Sequence, residues 1–403
     1  MDPFGVWLSC RLGGATIRTT ALLQHFGTAE EVYRADPRER RAAAELSEPD
    51  HCALDDTGMD EVERLIARCE QLGISAVHLW EEAYPPLLEQ IVNPPFTLFY
   101  RGDLSILDSA LTIAIVGTRS CSRYGATVTE QIAGELASCG VLVVSGMADG
   151  IDASANLGAL KGGGRTVAVL GNSVDRAYPS HNTYLMDQIL ETGGLVLSEY
   201  TPGSRIFKGN FPARNRIISG LSYGVLVAEA PLRSGALITA SLALEQNRDL
   251  FVIPGNINSY TSVGTNQLLK DNCAKPVTCT LDILEEYLVS HAEFLHTQMP
   301  TVEPVPARGT VHRGPEPEPL PKPRGEVMPQ KEQAGNRARF ELELTPEETL
   351  LLELLKNGEL STDRMIAASG LPTGKLIATL TMLEAKGRIR PVPGGRFVLT
   401  HSI

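Results

Sequence analysis

Residues 205–216 read Arg205-Ile206-Phe207-Lys208-Gly209-Asn210-Phe211-Pro212-Ala213-Arg214-Asn215-Arg216, and no Asp or Glu occurs between Glu199 and Glu229. This is a basic island in a chain whose net charge is −12. Cations interleaved with an aromatic ring suit a single-stranded nucleic acid: the charges meet the backbone, and a base stacks on the ring for about 1–3 kcal/mol. Phe211 is the stacking candidate, the alternative being a core aromatic. Arg214 and Arg216 either face the ligand or form structural ion pairs with Glu199 and Glu229.

Four small-residue turns accompany the island. Gly117-Thr118-Arg119-Ser120-Cys121-Ser122-Arg123-Tyr124-Gly125 follows an apolar run and opens a helix. Backbone N–H groups and the positive helix end would cradle an anion there, and Arg119 adds a bidentate phosphate donor. The alternative is a turn that merely needs glycine. It is not the G-x-G-x-x-G dinucleotide fingerprint, and the nearest approach to a P-loop, Gly370 to Gly374-Lys375, is too short. The second turn, Ser145 to Asp152, ends in a carboxylate that either caps a helix or orients a neighbouring cation. The third runs Gly171 to Asp175 and continues to Tyr178-Pro179, and the fourth runs Glu229 to Thr239. Several such turns on one edge favour a ligand with several phosphates. Acid–base catalysis at Glu229 would need a titratable partner, yet His181 is the one histidine between residues 79 and 290. With no Ser-His-Asp or metal-ligand pattern, neither catalysis, nor a metal, nor a cofactor is expected.

The elements that must carry these turns are legible as β-branched apolar runs at Leu111–Val116, Val141–Ser145, Thr166–Leu170, Leu195–Ser198, Gly224–Ala228 and Leu250–Ile253, with helical stretches between. That alternation predicts an α/β domain over 111–290, a mostly parallel sheet covered by helices on both faces. Ligands of such sheets bind beyond the carboxyl ends of the strands, where the turns lie. Residues 1–75 predict a small helical module, with Val62, Leu65, Ile66 and Leu72 at helical spacing. Residues 76–110, with Tyr84-Pro85-Pro86 and Asn93-Pro94-Pro95, predict a packed connector with at most short elements. Nine prolines between 300 and 329 mark 297–340 as an extended linker. Pro346–Leu355, Ser361–Ser369 and Thr373–Lys386, followed by a hairpin around Pro393-Gly394-Gly395, describe a winged helix over 345–403.

The 403 residues suffice for several domains with buried cores. No apolar run approaches the ~18 residues of a membrane span, and the start lacks a secretory pattern, so a cytoplasmic location is expected. Seven scattered cysteines without a C-x-x-C pair suit reduced thiols. The acidity sits in residues 1–110, with 19 acids against 9 bases. That region should repel phosphate and suits a regulatory or partner-binding role.

GTRSCSRYG, SGMADGID, AVLGNSVDRAYPSHN, FPARNRIISGLS, VAEAPLRSGALITA and FVIPGNINSYTSVGTNQLL, in this order over residues 115–269, resemble the DNA-processing protein DprA (Smf) family. The resemblance implies an extended Rossmann-like domain that binds single-stranded DNA, dimerises, and loads the recombinase RecA during natural transformation without nucleotide hydrolysis. It also implies an N-terminal sterile-alpha-motif-like module and a C-terminal winged-helix-like domain. Carried over, the DNA path involves Gly117, Arg119, Ser122 and Tyr124, Gly146 of the second turn, and Lys208, Asn210, Phe211, Arg214, Asn215 and Arg216. Three positions depart from the family pattern: Asp149 stands where an arginine is usual, Asn156 where a histidine is, and Ser173 where a glycine is. A carboxylate at 149 would repel phosphate or pair with a local arginine. Two other functions compete. Nucleoside-monophosphate phosphoribohydrolases share the wider fold, but their P-G-G-x-G-T-x-x-E motif is replaced here by Ala230-Pro231-Leu232-Arg233-Ser234-Gly235. A duplex-DNA regulator would act through Lys375, Lys386, Arg388 and Arg390 of the winged helix.

Overall fold

The computed structural model describes residues 1–13 and 16–295 and, between 346 and 399, all but 357–358, 370, 372–375, 377–378, 381–382, 384–387 and 393–395. The chain divides into two compact units, Met1–Arg308 and Gly309–Ile403.

Six short helices open the first unit: α1 (Pro3–Leu12), α2 (Thr16–Phe26), α3 (Ala29–Arg34), α4 (Pro37–Ala43), α5 (Glu48–Asp55) and α6 (Asp60–Gln71). Local chemistry fixes their starts. Asp2 and Asp36 cap helices that begin with proline, and Thr28 with Glu31 and Ser47 with Asp50 form reciprocal capping boxes. The helices close on a core of Val6, Trp7, Leu8, Leu22, Val32, Leu54 and Val62, into which Phe96 is inserted from outside the module. Trp7 satisfies its indole by donating to the Asp56 carbonyl at 3.0 Å.

The proline-rich segment does more than connect. It carries β1 (Ser75–His78), α7 (Pro86–Glu89) and β2 (Thr97–Gly102), and both strands join the central sheet. Each is short and bounded by prolines or a left-handed residue, Gly73 before β1 and Asn93 before β2, which hides them from a reading based on periodicity. Then come β3 (Thr112–Val116), α8 (Arg123–Ser138), β4 (Leu142–Ser145), α9 (Ile151–Lys161), β5 (Thr166–Val169), α10 (Thr183–Glu191) and β6 (Leu195–Ser198). They are followed by α11 (Asn210–Gly220), β7 (Gly224–Val227), α12 (Gly235–Glu245), β8 (Asp249–Val252), α13 (Val263–Lys270), β9 (Lys275–Pro276) and α14 (Leu281–Leu284). The sheet order is β1-β2-β6-β5-β4-β3-β7-β8-β9; β1 and β2 are antiparallel to their neighbours and β3 to β9 are parallel. Strands β3 to β7 are buried along their length, as a sheet covered on both faces requires. From β3 the chain winds outward through β4, β5 and β6, then crosses back to β7 and winds the other way. The crevice between β3 and β7 is therefore the topological switch point, where doubly wound sheets receive ligands.

In the second unit, α15 (Pro346–Leu355) and α16 (Thr362–Ser369) pack with a three-stranded sheet of order β10-β12-β11, formed by Leu360–Ser361, Arg396–Leu399 and Ile389–Val392. Leu351, Leu355, Met365, Leu376, Leu380, Leu383 and Ile389 are its core. The expected linker at 297–340 lies outside the described residues, as do Lys375 and Lys386.

The module meets the sheet at His78. Its side chain is fully buried, Nδ1 lies 2.8 Å from the Thr97 hydroxyl, which in turn lies 2.5 Å from Ser9 Oγ of α1, and Nε2, 4.0 Å from the Glu81 carboxylate, has no hydrogen-bond partner among the described residues. A Cβ on Gly5 would sit 2.6 Å from this ring, so α1 approaches only because residue 5 is glycine. Trp80 stacks on the ring at 4.7 Å. Burial lowers the His78 pKa from 6.5 to about 4, so the unfolded chain takes up the proton first. The sign follows: this stability is whole above pH 6.5 and is lost as pH falls toward 4, by up to about 3 kcal/mol. Thermal melts of wild type and His78→Gln between pH 7 and 4 should show a steeper loss in wild type; parallel curves would mean that His78 is not held neutral.

Candidate nucleic-acid interface

A cavity of about 490 Å³ opens at the switch point. Its walls come from the turns after β3 (Gly117 to Arg119), β4 (Ala148), β5 (Tyr178) and β7 (Pro231 to Ala236), and from the start of α11 (Lys208 to Asn215). Arg119, Lys208 and Arg233 are its exposed cations, and the one acid in its wall, Asp152, is 7% exposed. Phe211 is half-buried, with the Arg119 guanidinium 5.1 Å above its ring centroid and the Tyr178 ring 5.1 Å away at 36°. A cation over an aromatic face is favourable, and here it gathers charge and ring at one place.

Beneath lies a second, buried layer. Arg214 is 3% exposed; it donates to the Val169 carbonyl at 2.9 Å and sits 4.0 Å from the Asp152 carboxylate. The backbone N–H groups of Ala148 and Gly117 also favour the charged form of Asp152, which does not cap α9, whose cap is Gly150. Burial pushes the Asp152 carboxyl up and the Arg214 guanidinium down, each against the pull of the other. Gly146 is what lets them in: a Cβ there would lie 1.7 Å from an Arg214 nitrogen. Arg216 is likewise engaged, with both terminal nitrogens on Glu199 at 2.8 and 2.6 Å and Nε on the Asn93 carbonyl at 3.0 Å. Burial opposes its charge, but the Glu199 hydrogen bonds outweigh that and its pKa is raised. Arg214 and Arg216, expected on the DNA path, are thus both held by internal carboxylates; Arg214 also lines the cavity, and Arg216 does not. Arg216 pairs with Glu199, whereas the partner of Arg214 is Asp152 and not Glu229.

The first turn differs from the expected cradle for the same reason. Glu229 accepts from the Ser122 N–H at 2.8 Å and from its hydroxyl at 2.6 Å, while Ser122 caps α8 by accepting from Gly125 N–H at 3.0 Å. A Cβ on Gly125 would meet this carboxylate at 2.4 Å. The anion position at the α8 N-terminus is therefore filled by an internal carboxylate. Ser122 is thereby tied to Glu229, while Gly117 lines the cavity.

The remaining expected residues divide between cavity and rim. Lys208 and Asn215 line the cavity, and Asn215 also donates to the Gly235 carbonyl at 3.2 Å, tying α11 to the turn after β7. Asn210 starts α11, and Tyr124 is 57% exposed on the first turn of α8; neither lines the cavity. Asp149 does not pair with an arginine but with His181, at 2.7 Å on the surface. Asn156 is buried, donating to Thr166 and to the Val167 carbonyl, and Ser173 is buried with its hydroxyl on Asp175 at 2.5 Å. Tyr178 and Arg233 are among the wall residues not assigned from sequence. Their signal was position, since each follows a strand end on the same sheet edge.

The fold and crevice define a doubly wound, Rossmann-like binding protein with a cationic, aromatic-lined site. Residues 75–288 match the family described as DNA recombination-mediator protein A, and residues 336–395 match the DprA winged helix domain. DNA processing protein DprA of Streptococcus pneumoniae is 45% identical over 207 residues, 51% of this chain and 72% of that protein. Protein Smf of Synechocystis is 36% identical over 336 residues, 78% of this chain and 77% of its own length. The X-ray structure of the pneumococcal protein superposes with a TM-score of 0.62 at 33% identity, covering 71% of this chain and 98% of that one. The chain belongs to the DprA (Smf) family of DNA-processing recombination mediators.

Because the pair beneath the cavity is buried, removing one partner strands the other. Arg214→Met should lower stability by about 3–5 kcal/mol, and adding Asp152→Asn should restore much of it. Urea denaturation of the two single variants and the double variant tests this; additive losses would show that the groups do not depend on each other.

Proposed function

We propose that the crevice binds single-stranded DNA and that the chain acts without catalysis, as a homodimer that passes the strand to RecA. The observation that carries this reading is the stack of Arg119 on Phe211 inside a cavity whose exposed charges are all positive. A ring for an unpaired base beside a cation for its phosphate is the recurring requirement of single-strand sites. Family membership supports DNA processing as the setting. Homodimerisation and delivery to RecA rest on the family resemblance.

The phosphoribohydrolase alternative needs nucleotide phosphate at a helix N-terminus and a free carboxylate. Here Glu229 is spent on Ser122, and it occupies the N–H groups that such a phosphate would use. Nothing in the geometry favours that chemistry.

Fluorescence anisotropy of a labelled oligonucleotide with the full chain tests the reading. Wild type should prefer the single strand to the duplex, and Arg119→Ala or Phe211→Ala should each weaken binding about ten-fold or more. Three engaged cations give a log–log salt slope of about −2, at roughly −0.7 per neutralised phosphate. Binding indifferent to both substitutions would remove the proposal. Assembly of RecA on the same oligonucleotide, with and without the chain, tests the delivery step.

A further inference from the structure

The wall residues of the crevice are ordered by the sheet. Tyr178 follows β5, Ala148 follows β4, Arg119 follows β3 and Arg233 follows β7, and these strands are consecutive neighbours. Three inter-strand spacings separate the outer two, about 14 Å. Adjacent phosphates of a stacked strand advance ~3.4 Å along the axis and those of an extended one further, so a ligand touching both ends must span more than one nucleotide.

Each end is built for contact. Tyr178 is 40% exposed, its hydroxyl has no partner among the described residues, and its ring faces Phe211 at a tilt that is neither offset-stacked nor edge-to-face. Covering either ring with a base therefore sacrifices little ring–ring contact. The turn that holds it is braced: Asn172 donates to the carbonyls of Ser173 at 2.9 Å and Arg176 at 2.7 Å, and Asn182 donates to that of Met147 at 2.9 Å. A ring placed in advance loses less entropy on binding. Arg233 is exposed and has no carboxylate partner among the described residues. Ser234 beside it caps α12. Gly235 takes the Asn215 bond that ties this turn to the helix carrying Phe211.

We propose that Tyr178 and Arg233 mark the two ends of the strand's path, Tyr178 as a second stacking ring and Arg233 as a phosphate contact. The site then takes an extended oligonucleotide running across the sheet edge rather than a single nucleotide. This rests on the reading of the crevice as a single-strand site.

The test titrates labelled thymidine oligonucleotides of increasing length, and thymidine monophosphate as competitor, against the full chain. The variants are Tyr178→Leu, Tyr178→Phe, Arg233→Gln, Phe211→Ala and Arg119→Ala. Tyr178→Leu should weaken binding several-fold or more at unchanged salt slope, whereas Tyr178→Phe, which keeps the ring, should bind as wild type. Arg233→Gln should reduce the salt slope by about 0.7. Both effects should vanish on oligonucleotides too short to reach the ends, and the monophosphate should not compete at matched concentration. If Phe211→Ala and Arg119→Ala lose binding while Tyr178→Leu and Arg233→Gln do not, the path is wrong and the single-strand reading stands. If none of the four matters, the single-strand reading itself fails. Equal losses in Tyr178→Phe and Tyr178→Leu would likewise overturn the stacking role.

Discussion

A buried carboxylate and a buried guanidinium under the switch point set what the crevice can be. Taking both charges out of water costs several kcal/mol each, which their mutual attraction and further hydrogen bonds must offset. Asp152 meets that demand with the Arg214 guanidinium 4.0 Å away and the backbone N–H groups of two different turns favouring its charge, and Arg214 by reaching across to the carbonyl that ends β5. One pair thereby ties the ends of β3, β4 and β5 to α11. Space for it exists because Gly146 has no side chain. The helix that carries Phe211 is fixed from below, and the ring stands at a defined height over the sheet edge.

The same arrangement changes the electrostatics above it. Glycine-rich turns at helix starts usually offer their N–H groups to a phosphate. In this protein Glu229 takes the Ser122 N–H at the α8 start, so that turn keeps the rigidity of a phosphate-binding loop with its anion position already filled. What remains for a ligand is a set of flexible cations on rings and turns. Such cations neutralise a backbone wherever its phosphates fall, which suits a polymer of variable sequence better than one fixed nucleotide.

The parallel core was legible because strands buried on both faces must be continuous apolar runs, and such runs stand out between glycine turns. β1 and β2 were not, since each is short, β1 following the left-handed Gly73 and β2 following Pro94-Pro95; only the sheet supplies the partners that make them strands. The island at 205–216 stands out in the sequence as a unit, yet its four cations are not equivalent. Lys208 and Arg205 are exposed, while Arg214 and Arg216 are held by Asp152, 62 residues earlier, and Glu199, 17 residues earlier. Local sequence carries no mark of that difference, because burial is decided by where distant carboxylates arrive. Asp149 teaches the same lesson: its histidine partner lies 32 residues away on another turn. The module's acidity was visible, but its attachment was not. Arg68 of α6 reaches Asp175 on the β5 turn at 2.9 Å, three residues before Tyr178, so the helical module and the crevice share one loop.

In the proposed single-strand site, a preference over duplex would follow from energies of comparable size. Stacking a base on an aromatic side chain is worth about 1–3 kcal/mol. Unstacking one step of a duplex costs about 1.4 kcal/mol on average. A duplex that offered its bases to Phe211 would lose most of what it gained, whereas an unpaired strand, its bases already free to splay, keeps nearly all of it. The cations do not discriminate in this way, since both forms carry phosphates. In the proposed site, selectivity would therefore reside in the rings, and affinity and its salt dependence in the cations around them. Arg119 would belong to both, because its guanidinium lies over the Phe211 ring.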